Sequence, residues 1–358
     1  MENNYNKKTD EKRILQIRRL LNDLPSSCGD YIRSIGSTTS TRTRLAYLYD
    51  LRVFFTFLLV ERVSFAGLTM YTICDDNIAT ITQLDIEMYV EYLTNYYPVM
   101  ADPQSTNPQK ILTNHEYGIT RKLSTLRSFF DYLFKSKRIP SNVATLVPLP
   151  QVAEKPILKM QLDEITKMLS IVKNGETMTK AQLRYHKFTK QRDFAILCLF
   201  LGTGIRINEF VGLNINDFDF TNNAFLVTRK GGNQVMLYFP SMVAEAIQDY
   251  LAERLVLSPL PGNEDAMFIS LQKKRMSHRA VQNMVKKYAL FAAPLKKRLS
   301  PHKLRSTYAT NLYHETGDIY LVADALGHAN VNTTRKHYAS ISEERRREAA
   351  KHVILPDI

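Results

Sequence analysis

The chain has 358 residues, of which 44% are hydrophobic, and its 48 Lys and Arg outnumber its 35 Asp and Glu to give a formal net charge of +13. This length favours two domains over a single core, and the hydrophobic fraction argues against pervasive disorder. The positive charge fits either a protein that binds nucleic acid or a basic metabolic enzyme of the cytosol. Three cysteines, an odd number without metal-ligand spacing, fit a reduced cytoplasmic setting best. No apolar run approaches the roughly 20 residues that a membrane span requires, so we expect a soluble, cytoplasmic protein.

The N-terminal part of the chain is predicted to be helical. Residues 1–36 are polar and charged, and we predict that they form an N-terminal extension. Apolar residues then recur at helical spacing in three successive segments, which predicts a helical domain over residues 37–147. In the last of these segments Arg121, Lys122 and Arg127 are interleaved with the apolar positions.

A proline-rich linker is predicted over residues 148–156. The second domain, over residues 157–341, combines helical patterns with two strand patterns joined through Gly231-Gly232, which is a hairpin signal. Ser300-Pro301 places a capping residue before a proline and predicts a helix start. Residues 342–358 read as a charged tail that could dock on a neighbouring copy. The predicted fold class is therefore mainly α with a small antiparallel β-sheet.

His302 and Arg305 are candidates for holding a phosphate. They lie three residues apart in the helix predicted to begin at Ser300, so their side chains share one face near the positive end of the helix dipole. Arginine adds a planar fork that matches two phosphate oxygens. The alternative is a solvated helix terminus, because His-x-x-Arg is a common pattern.

Arg206 is a second candidate cation. It follows a Gly-Thr-Gly turn that would hold it rigidly, and Glu209, three residues later, is placed to support it with an ion pair. The alternative is a surface ion pair worth under about 1 kcal/mol. The apolar segments on both sides favour the functional interpretation.

Lys230 lies at the tip of the predicted hairpin, where an ammonium could donate a proton to a leaving oxygen. Basic hairpin tips more often are solvated or contact phosphates, and the adjacent Arg229 competes for either role. His328 follows a predicted helix end at Leu326-Gly327. A zinc site is discounted, because the histidines of this region lack short ligand spacing and a cysteine or carboxylate cluster.

Tyr338 is the candidate nucleophile. A phenol, with an ordinary pKa of about 10, attacks only where cations or a base ease its ionisation. Tyr308, Tyr313 and Tyr320 are rivals, although their apolar neighbours favour core positions for all three. Together with the cations, a tyrosine at this place could cut a phosphodiester without a metal.

These residues resemble the tyrosine recombinases, also called phage-type integrases, and the resemblance extends from about residue 37 to Tyr338. It is most specific in GTGIRINEFVGL, SPHKLRSTYAT and LGHANVNTTRKHYA. The resemblance implies a helical, SAM-like core-binding domain and an α+β catalytic domain that form a clamp around DNA. Two positions depart from the pattern: Tyr338 lies one residue further from His328 than in many members, and Ser306 replaces a histidine often found after the second arginine.

The resemblance also implies roles for particular residues. The catalytic residues would be Arg206, Lys230, His302, Arg305, His328 and the nucleophile Tyr338. Tyr338 would form a 3′-phosphotyrosyl link, and Lys230 would protonate the leaving 5′ oxygen. Glu209 would orient Arg206 through an ion pair. The expected DNA-binding residues are Arg121, Lys122, Arg127 and Arg229.

The function expected from the resemblance is site-specific DNA recombination without a cofactor, metal ion or ATP. A homotetramer would assemble on double-stranded DNA carrying the recombination site, from monomers or dimers free in the cytoplasm at the bacterial nucleoid. An accessory DNA-bending or excisionase factor is compatible with this function. The biological role is either integration and excision of a mobile element or Xer-like resolution of chromosome dimers. The alternatives are a type IB topoisomerase, a telomere resolvase or a non-catalytic DNA-binding protein on the same scaffold.

Overall fold

A computed structural model of the chain describes residues 4–95, 112–151, 158–229, 232–296, 299–327 and 330–332. The chain divides into two units, an N-terminal unit over Asn4–Glu154 and a C-terminal unit from Lys155 onward. The division falls inside the predicted linker, residues 148–156. Within the described ranges, no helix is long and apolar enough to cross a membrane.

The N-terminal unit is built from helices. They are α1 (Asn4–Leu21), α2 (Ser26–Ser34), α3 (Thr41–Glu61), α4 (Asp75–Ala79), α5 (Gln83–Thr94) and α6 (Glu116–Lys135), with short 3-10 turns at Val63–Phe65 and Val143–Thr145. Ser40 caps α3 by accepting a hydrogen bond from the Thr43 amide at 3.2 Å. A cluster of aromatic rings fills the core between α3, α5 and α6, and the edge-to-face pair of Phe54 and Tyr89, 5.0 Å apart, is part of it.

The first two helices correct the boundary predicted at residue 36. We predicted residues 1–36 as an extension separate from the helical domain, but Ile17, Leu24 and Tyr31 are buried in the same core as α3 and α6. The Tyr31 hydroxyl also donates a hydrogen bond to Ser128 of α6 at 2.8 Å. The described part of this segment therefore belongs to the N-terminal unit, because its sparse apolar residues lie on one face of each helix and bury against α3 and α6.

The C-terminal unit is also mainly helical. Its helices are α7 (Leu162–Asn174), α8 (Lys180–His186), α9 (Lys190–Thr203), α10 (Ile207–Phe210), α11 (Ser241–Val256), α12 (His278–Ala292), α13 (Pro301–Thr316) and α14 (Ile319–Leu326). Its strands are β1 (Phe218–Asp219), β2 (Ala224–Thr228) and β3 (Gln234–Tyr238), which form one antiparallel sheet in that order. The register pairs Val227 with Val235 across the predicted hairpin. The predicted fold class, mainly α with a small antiparallel sheet, is confirmed.

Helix α9 forms the centre of this unit. Its residues from Ala195 to Phe200 are all buried, as expected for a helix that is apolar on every side and packs against α7, α11 and α13. Gly204 ends the helix in the left-handed region at φ +61°, and a methyl group there would overlap the ring of Tyr308 on α13. The turn therefore brings the start of α10 close to α13, and this closeness assembles the site.

Candidate active site

Arg206 lies at the start of α10 and is held from two sides. Its Nη1 donates to Oε1 of Glu209 at 2.9 Å, and its Nη2 donates to the carbonyl oxygen of Gly327 at 2.9 Å. Glu209 also accepts a hydrogen bond from the Arg206 backbone amide at 3.0 Å, so one carboxylate caps the helix and orients the side chain. The Arg206 side chain is 36% exposed and that of Glu209 only 5%. The expected support by Glu209 is thus present as a hydrogen-bonded ion pair.

Arg305 lies beneath the surface in the second turn of α13. Its Nη1 donates to the Gly204 carbonyl at 2.6 Å, and its Nη2 donates to the Leu326 carbonyl. Only 6% of this residue is exposed. A guanidinium at this depth needs hydrogen-bond acceptors, and the two carbonyls supply them.

The carboxyl end of α14 receives both arginines. Leu326 and Gly327 are the last residue of α14 and its cap, and their carbonyl oxygens accept from Arg305 and Arg206 respectively. Carbonyls at a helix end have no partner within the helix and carry partial negative charge, so cations are favoured there. These two acceptors were missed in the sequence analysis, although the Gly327 cap signal was recognised there as a helix end.

Arg229, which directly follows β2, contacts the same end of α14 as Arg206 and Arg305. We call these three residues, together with Glu209 and Gly327, the arginine cluster. Its Nε lies 3.9 Å from Oε1 of Glu209, and its guanidinium covers the α-carbon of Gly327, where a methyl group would overlap it. The side chain is 18% exposed. Its placement differs from the surface DNA contact that we predicted, because the hairpin turns the side chain inward. Among the described residues, the cluster holds three guanidinium groups and the single carboxylate of Glu209.

His302 lies on the exposed side of the first turn of α13. The helix begins at Pro301, as the Ser300-Pro301 pattern predicted, and Arg305 lies one turn further on. The two predicted partners thus occupy neighbouring positions at different depths. His302 is accessible from solvent, while Arg305 is buried below it.

Three of the predicted catalytic residues, Lys230, His328 and Tyr338, lie outside the described residues. Arg229 and Gly327 are the described residues directly before Lys230 and His328 in the chain. Both of these described residues belong to the arginine cluster.

The rival tyrosines occupy three different environments. Tyr308 is half-buried against Gly204, and burial raises the pKa of its phenol, which opposes ionisation. Tyr313 is buried in a small core with Ala309 and Val322, as we predicted. Tyr320 is 71% exposed, so the prediction of a core position was wrong for this residue, which lies on the outer face of α14.

The basic residues of α6 serve the N-terminal unit. Lys122 is 6% exposed and donates to Oδ1 of Asn114 at 2.8 Å, and burial lowers the pKa of its ammonium. Arg127 donates to the carbonyls of Ala144 at 3.1 Å and Val147 at 2.5 Å. These intramolecular bonds give both cations partners inside the N-terminal unit, and their binding to DNA stays a prediction. Periodicity could not reveal this, because the acceptors lie in other segments.

Arg121 differs from its two neighbours. Its guanidinium forms a two-pronged ion pair with the buried Asp50, including one bond of 2.7 Å, yet half of its side chain remains exposed. Burial raises the pKa of Asp50 even beside this partner. Arg121 is therefore fixed by Asp50 while half of its side chain remains exposed.

Comparison with known proteins places these observations in a family. The model of the phage integrase family matches residues 159–345. Tyrosine recombinase XerC of Caldanaerobacter subterraneus subsp. tengcongensis is 32% identical over 320 residues, which are 87% of this chain and 81% of that protein. Tyrosine recombinase XerC of Thermodesulfovibrio yellowstonii is 36% identical over 220 residues, 61% of this chain and 69% of the relative.

Solved structures show the same fold at lower identity. The XerH site-specific recombinase bound to a palindromic difH substrate, in a post-cleavage complex, matches with a TM-score of 0.63 at 19% identity, over 96% of this chain and 89% of that chain. The Tn1549 transposon integrase in complex with transposon right end DNA matches with a TM-score of 0.61 at 18% identity, over 90% and 99%.

Proposed function

The chain belongs to the phage integrase family of tyrosine recombinases and is a site-specific recombinase, and from that premise we propose that it cleaves and rejoins DNA through a 3′-phosphotyrosyl intermediate. The observation that supports this mechanism most is the pair of guanidiniums, Arg206 and Arg305, fixed on adjacent carbonyls at the end of α14. Cations held in place before the substrate arrives stabilise the charge that develops on a phosphate during attack, with little reorganisation.

The proposed cleavage step needs no reactant other than DNA and the residues named here. The Tyr338 hydroxyl oxygen attacks phosphorus, the bond from phosphorus to the 5′ oxygen breaks, and Lys230 gives that oxygen its proton. His302 takes up the phenolic proton, while His328 and the two arginines hold the non-bridging oxygens. The new ester keeps the energy of the broken bond, so a 5′-hydroxyl of the partner strand can reverse the step. No metal ion or ATP enters this sequence.

The proposed partner is double-stranded DNA with a specific recombination site. The matched XerH structure is bound to a palindromic difH substrate, the Tn1549 integrase structure is a complex with transposon right end DNA, and a lambda integrase dimer of similar fold is bound to a core site. The formal charge of +13 on this chain suits a polyanionic partner. Exchange between two duplexes requires four active sites, so we propose a tetramer on DNA, with the tail over 342–358 as a docking element between protomers.

Two experiments distinguish this proposal from its alternatives. Sequencing the genomic fragments bound by Tyr338→Phe, which should bind without cutting, identifies the site. Wild-type protein should then exchange strands between two labelled duplexes that carry the site, in the presence of EDTA and without ATP. Relaxation of supercoiled plasmids that lack the site would indicate a topoisomerase instead, closed hairpin ends would indicate a telomere resolvase, and binding without any covalent product would indicate a non-catalytic protein.

The recovered site also decides the biological role. We propose either integration and excision of a mobile element or resolution of chromosome dimers. A site at the ends of a mobile element supports the first role, and a single chromosomal site near the replication terminus supports the second.

A further inference from the structure

Asp50 and Arg121 form an ion pair whose two members lie at different depths in the N-terminal unit. Asp50 is on α3 and its side chain is buried, whereas Arg121 is on α6 and half of its side chain is exposed. The Arg121 Nη2 donates to Oδ1 of Asp50 at 2.7 Å, and its Nη1 donates to Oδ2. The carboxylate therefore lies inside the helical unit, while the cation reaches its surface.

The ion pairs of Arg138 in the same unit have the opposite arrangement. Arg138 is the more buried member, with 23% of its side chain exposed, and it joins the partly exposed carboxylates of Asp30 and Asp75. All three nitrogen atoms of this guanidinium donate to the two carboxylates, so it connects α2 and α4 to the segment after α6. Arg138 thus acts within the fold, whereas the pair of Asp50 and Arg121 leaves its cation accessible.

Arg121 keeps hydrogen-bond donors that Asp50 does not use. A guanidinium has five N–H groups, and the two hydrogen bonds to Asp50 occupy two of them. Within the described ranges no second acceptor bonds to this side chain, so three N–H groups remain. A planar set of donors with a full positive charge matches the oxygens of a phosphate.

Asp50 is itself held in place. The buried hydroxyl of Thr125, one turn after Arg121 on α6, donates to Oδ2 of Asp50 at 3.0 Å. Burial raises the pKa of the Asp50 carboxyl despite the nearby charges of Arg121 and Lys122. An ion pair with a buried member adds little net stability, because desolvation offsets the attraction. What the pair supplies, and an apolar pair would not, is a fixed direction for the guanidinium.

Resting on the proposed function, in which double-stranded DNA is the partner, we propose that Asp50 is a positioning residue that holds Arg121 for contact with a DNA phosphate. A long arginine side chain without this partner samples many rotamers, and binding would have to order it. Asp50 orders the side chain before DNA arrives. A buried carboxylate would thereby strengthen the binding of a polyanion, which is the reverse of what its charge alone predicts.

The sign of this effect provides the test. Affinity for a random-sequence duplex is measured across salt concentrations for the full-length wild type and for Asp50→Asn. Loss of a negative charge alone should tighten DNA binding. If Asp50 positions Arg121, Asp50→Asn should instead weaken binding by about tenfold, the contribution of one hydrogen bond to a charged group. Asp131→Asn, at an exposed position of α6, removes the same charge and should not weaken binding.

Arg121→Ala and the double variant complete the comparison. Arg121→Ala should weaken binding at least as much and reduce the salt slope by about one unit, as the loss of one phosphate contact does. The double variant with Asp50→Asn should bind no more weakly than Arg121→Ala alone, because Asp50 acts only through Arg121. Arg184→Ala, at an exposed position of α8, removes the same positive charge and should keep the wild-type slope.

Three results would overturn the positioning role. They are unchanged or tighter binding by Asp50→Asn, additive losses in the double variant, and a wild-type salt slope for Arg121→Ala. If Asp50→Asn unfolds, Thr125→Val decides instead, because it removes one hydrogen bond to Asp50 without changing the charge. Thr125→Val should weaken binding in the wild-type background and leave it unchanged in Arg121→Ala, and any other pattern would contradict the proposal.

Failure of the proposed function would be visible separately. Every measurement on Asp50 and Arg121 reads DNA binding and none reads cleavage. A wild-type protein that binds the duplex but forms no covalent complex would lose the proposed cleavage mechanism and keep the positioning role. A wild-type protein that binds no duplex would overturn both.

Discussion

Arg206 donates a hydrogen bond of 2.9 Å to the carbonyl of Gly327, which lies 121 residues later in the chain. Arg305 makes the equivalent bond to the neighbouring Leu326, so α10 and α13 are both tied to the end of α14. Each guanidinium thereby has a fixed direction before any substrate is present. The same bonds stabilise the fold and organise the site, and substitutions here should change both properties.

Arg305→Lys should therefore lose stability as well as activity, although it keeps the charge. An ammonium cannot span the carbonyls of Gly204 and Leu326 as the planar fork does. One buried carbonyl left without a partner costs about 1–3 kcal/mol of unfolding free energy. Covalent trapping should slow by about 10²-fold or more, since a fixed donor to the developing charge is lost. Urea unfolding and trapping rates measure the two effects, and Arg184→Lys is the control. Wild-type values for Arg305→Lys would show that the fork is not needed.

Gly204→Ala should destabilise the protein more than Gly67→Ala. Both glycines have positive φ, at +61° and +79°, so each substitution introduces a backbone strain of about 1–2 kcal/mol. Only at Gly204 would the methyl group meet a neighbour, the ring of Tyr308, whereas nothing lies within 4 Å at Gly67. Overpacking of this kind costs a further 1–3 kcal/mol or so. Equal losses in urea unfolding would mean that α13 does not approach the turn as described.

Arg127→Ala should weaken the N-terminal unit and leave DNA binding nearly unchanged. The substitution removes the donors to the carbonyls of Ala144 and Val147, at a cost of about 1–3 kcal/mol. A phosphate contact would instead reduce the salt dependence of binding by about one unit of slope. Binding titrations across salt concentrations distinguish the two. Arg42→Ala, at an exposed position of α3, removes the same charge and serves as the control. A reduced slope for Arg127→Ala would instead support the prediction that Arg127 binds DNA.

Stability should fall in alkaline solution partly through Tyr31. Burial raises the pKa of this phenol to about 12, against an ordinary value near 10. Below pH 10 both states keep the proton, and as the pH rises from 10 towards 12 the unfolded state loses it first, so stability is lost. Urea unfolding at pH 8 and pH 11 should show a loss about 1 kcal/mol smaller for Tyr31→Phe than for wild type. Tyr71→Phe, at a 70% exposed position, should behave as wild type. An unchanged loss for Tyr31→Phe would contradict the assignment.

Local signals in the sequence predicted much of this architecture. The Ser300-Pro301 start, the hairpin around Gly231-Gly232 and the pairing of Arg206 with Glu209 all depend on residues close together in the chain, and the described parts of each agree with the structure. Such features follow from backbone preferences and capping, which act over a few residues.

What the sequence could not reveal depends on distant partners. The backbone carbonyl that accepts from Arg127 belongs to Ala144, in a different segment, and no local pattern marks it. The acceptors of Arg206 and Arg305 are backbone carbonyls, which every residue has and no motif marks. Arg229 has the sequence of an ordinary basic hairpin residue, and only the fold brings it to Gly327.

The central claim is a covalent link between Tyr338 and the 3′ phosphate of cleaved DNA. The most direct measurement is mass spectrometry of the peptide that remains on a nicked duplex after trapping in EDTA without ATP. We predict a phosphodeoxynucleotide on Tyr338, with trapping lost and DNA binding kept in Tyr338→Phe. A modified peptide that contains Tyr308, Tyr313 or Tyr320, or continued trapping by Tyr338→Phe, would contradict the account.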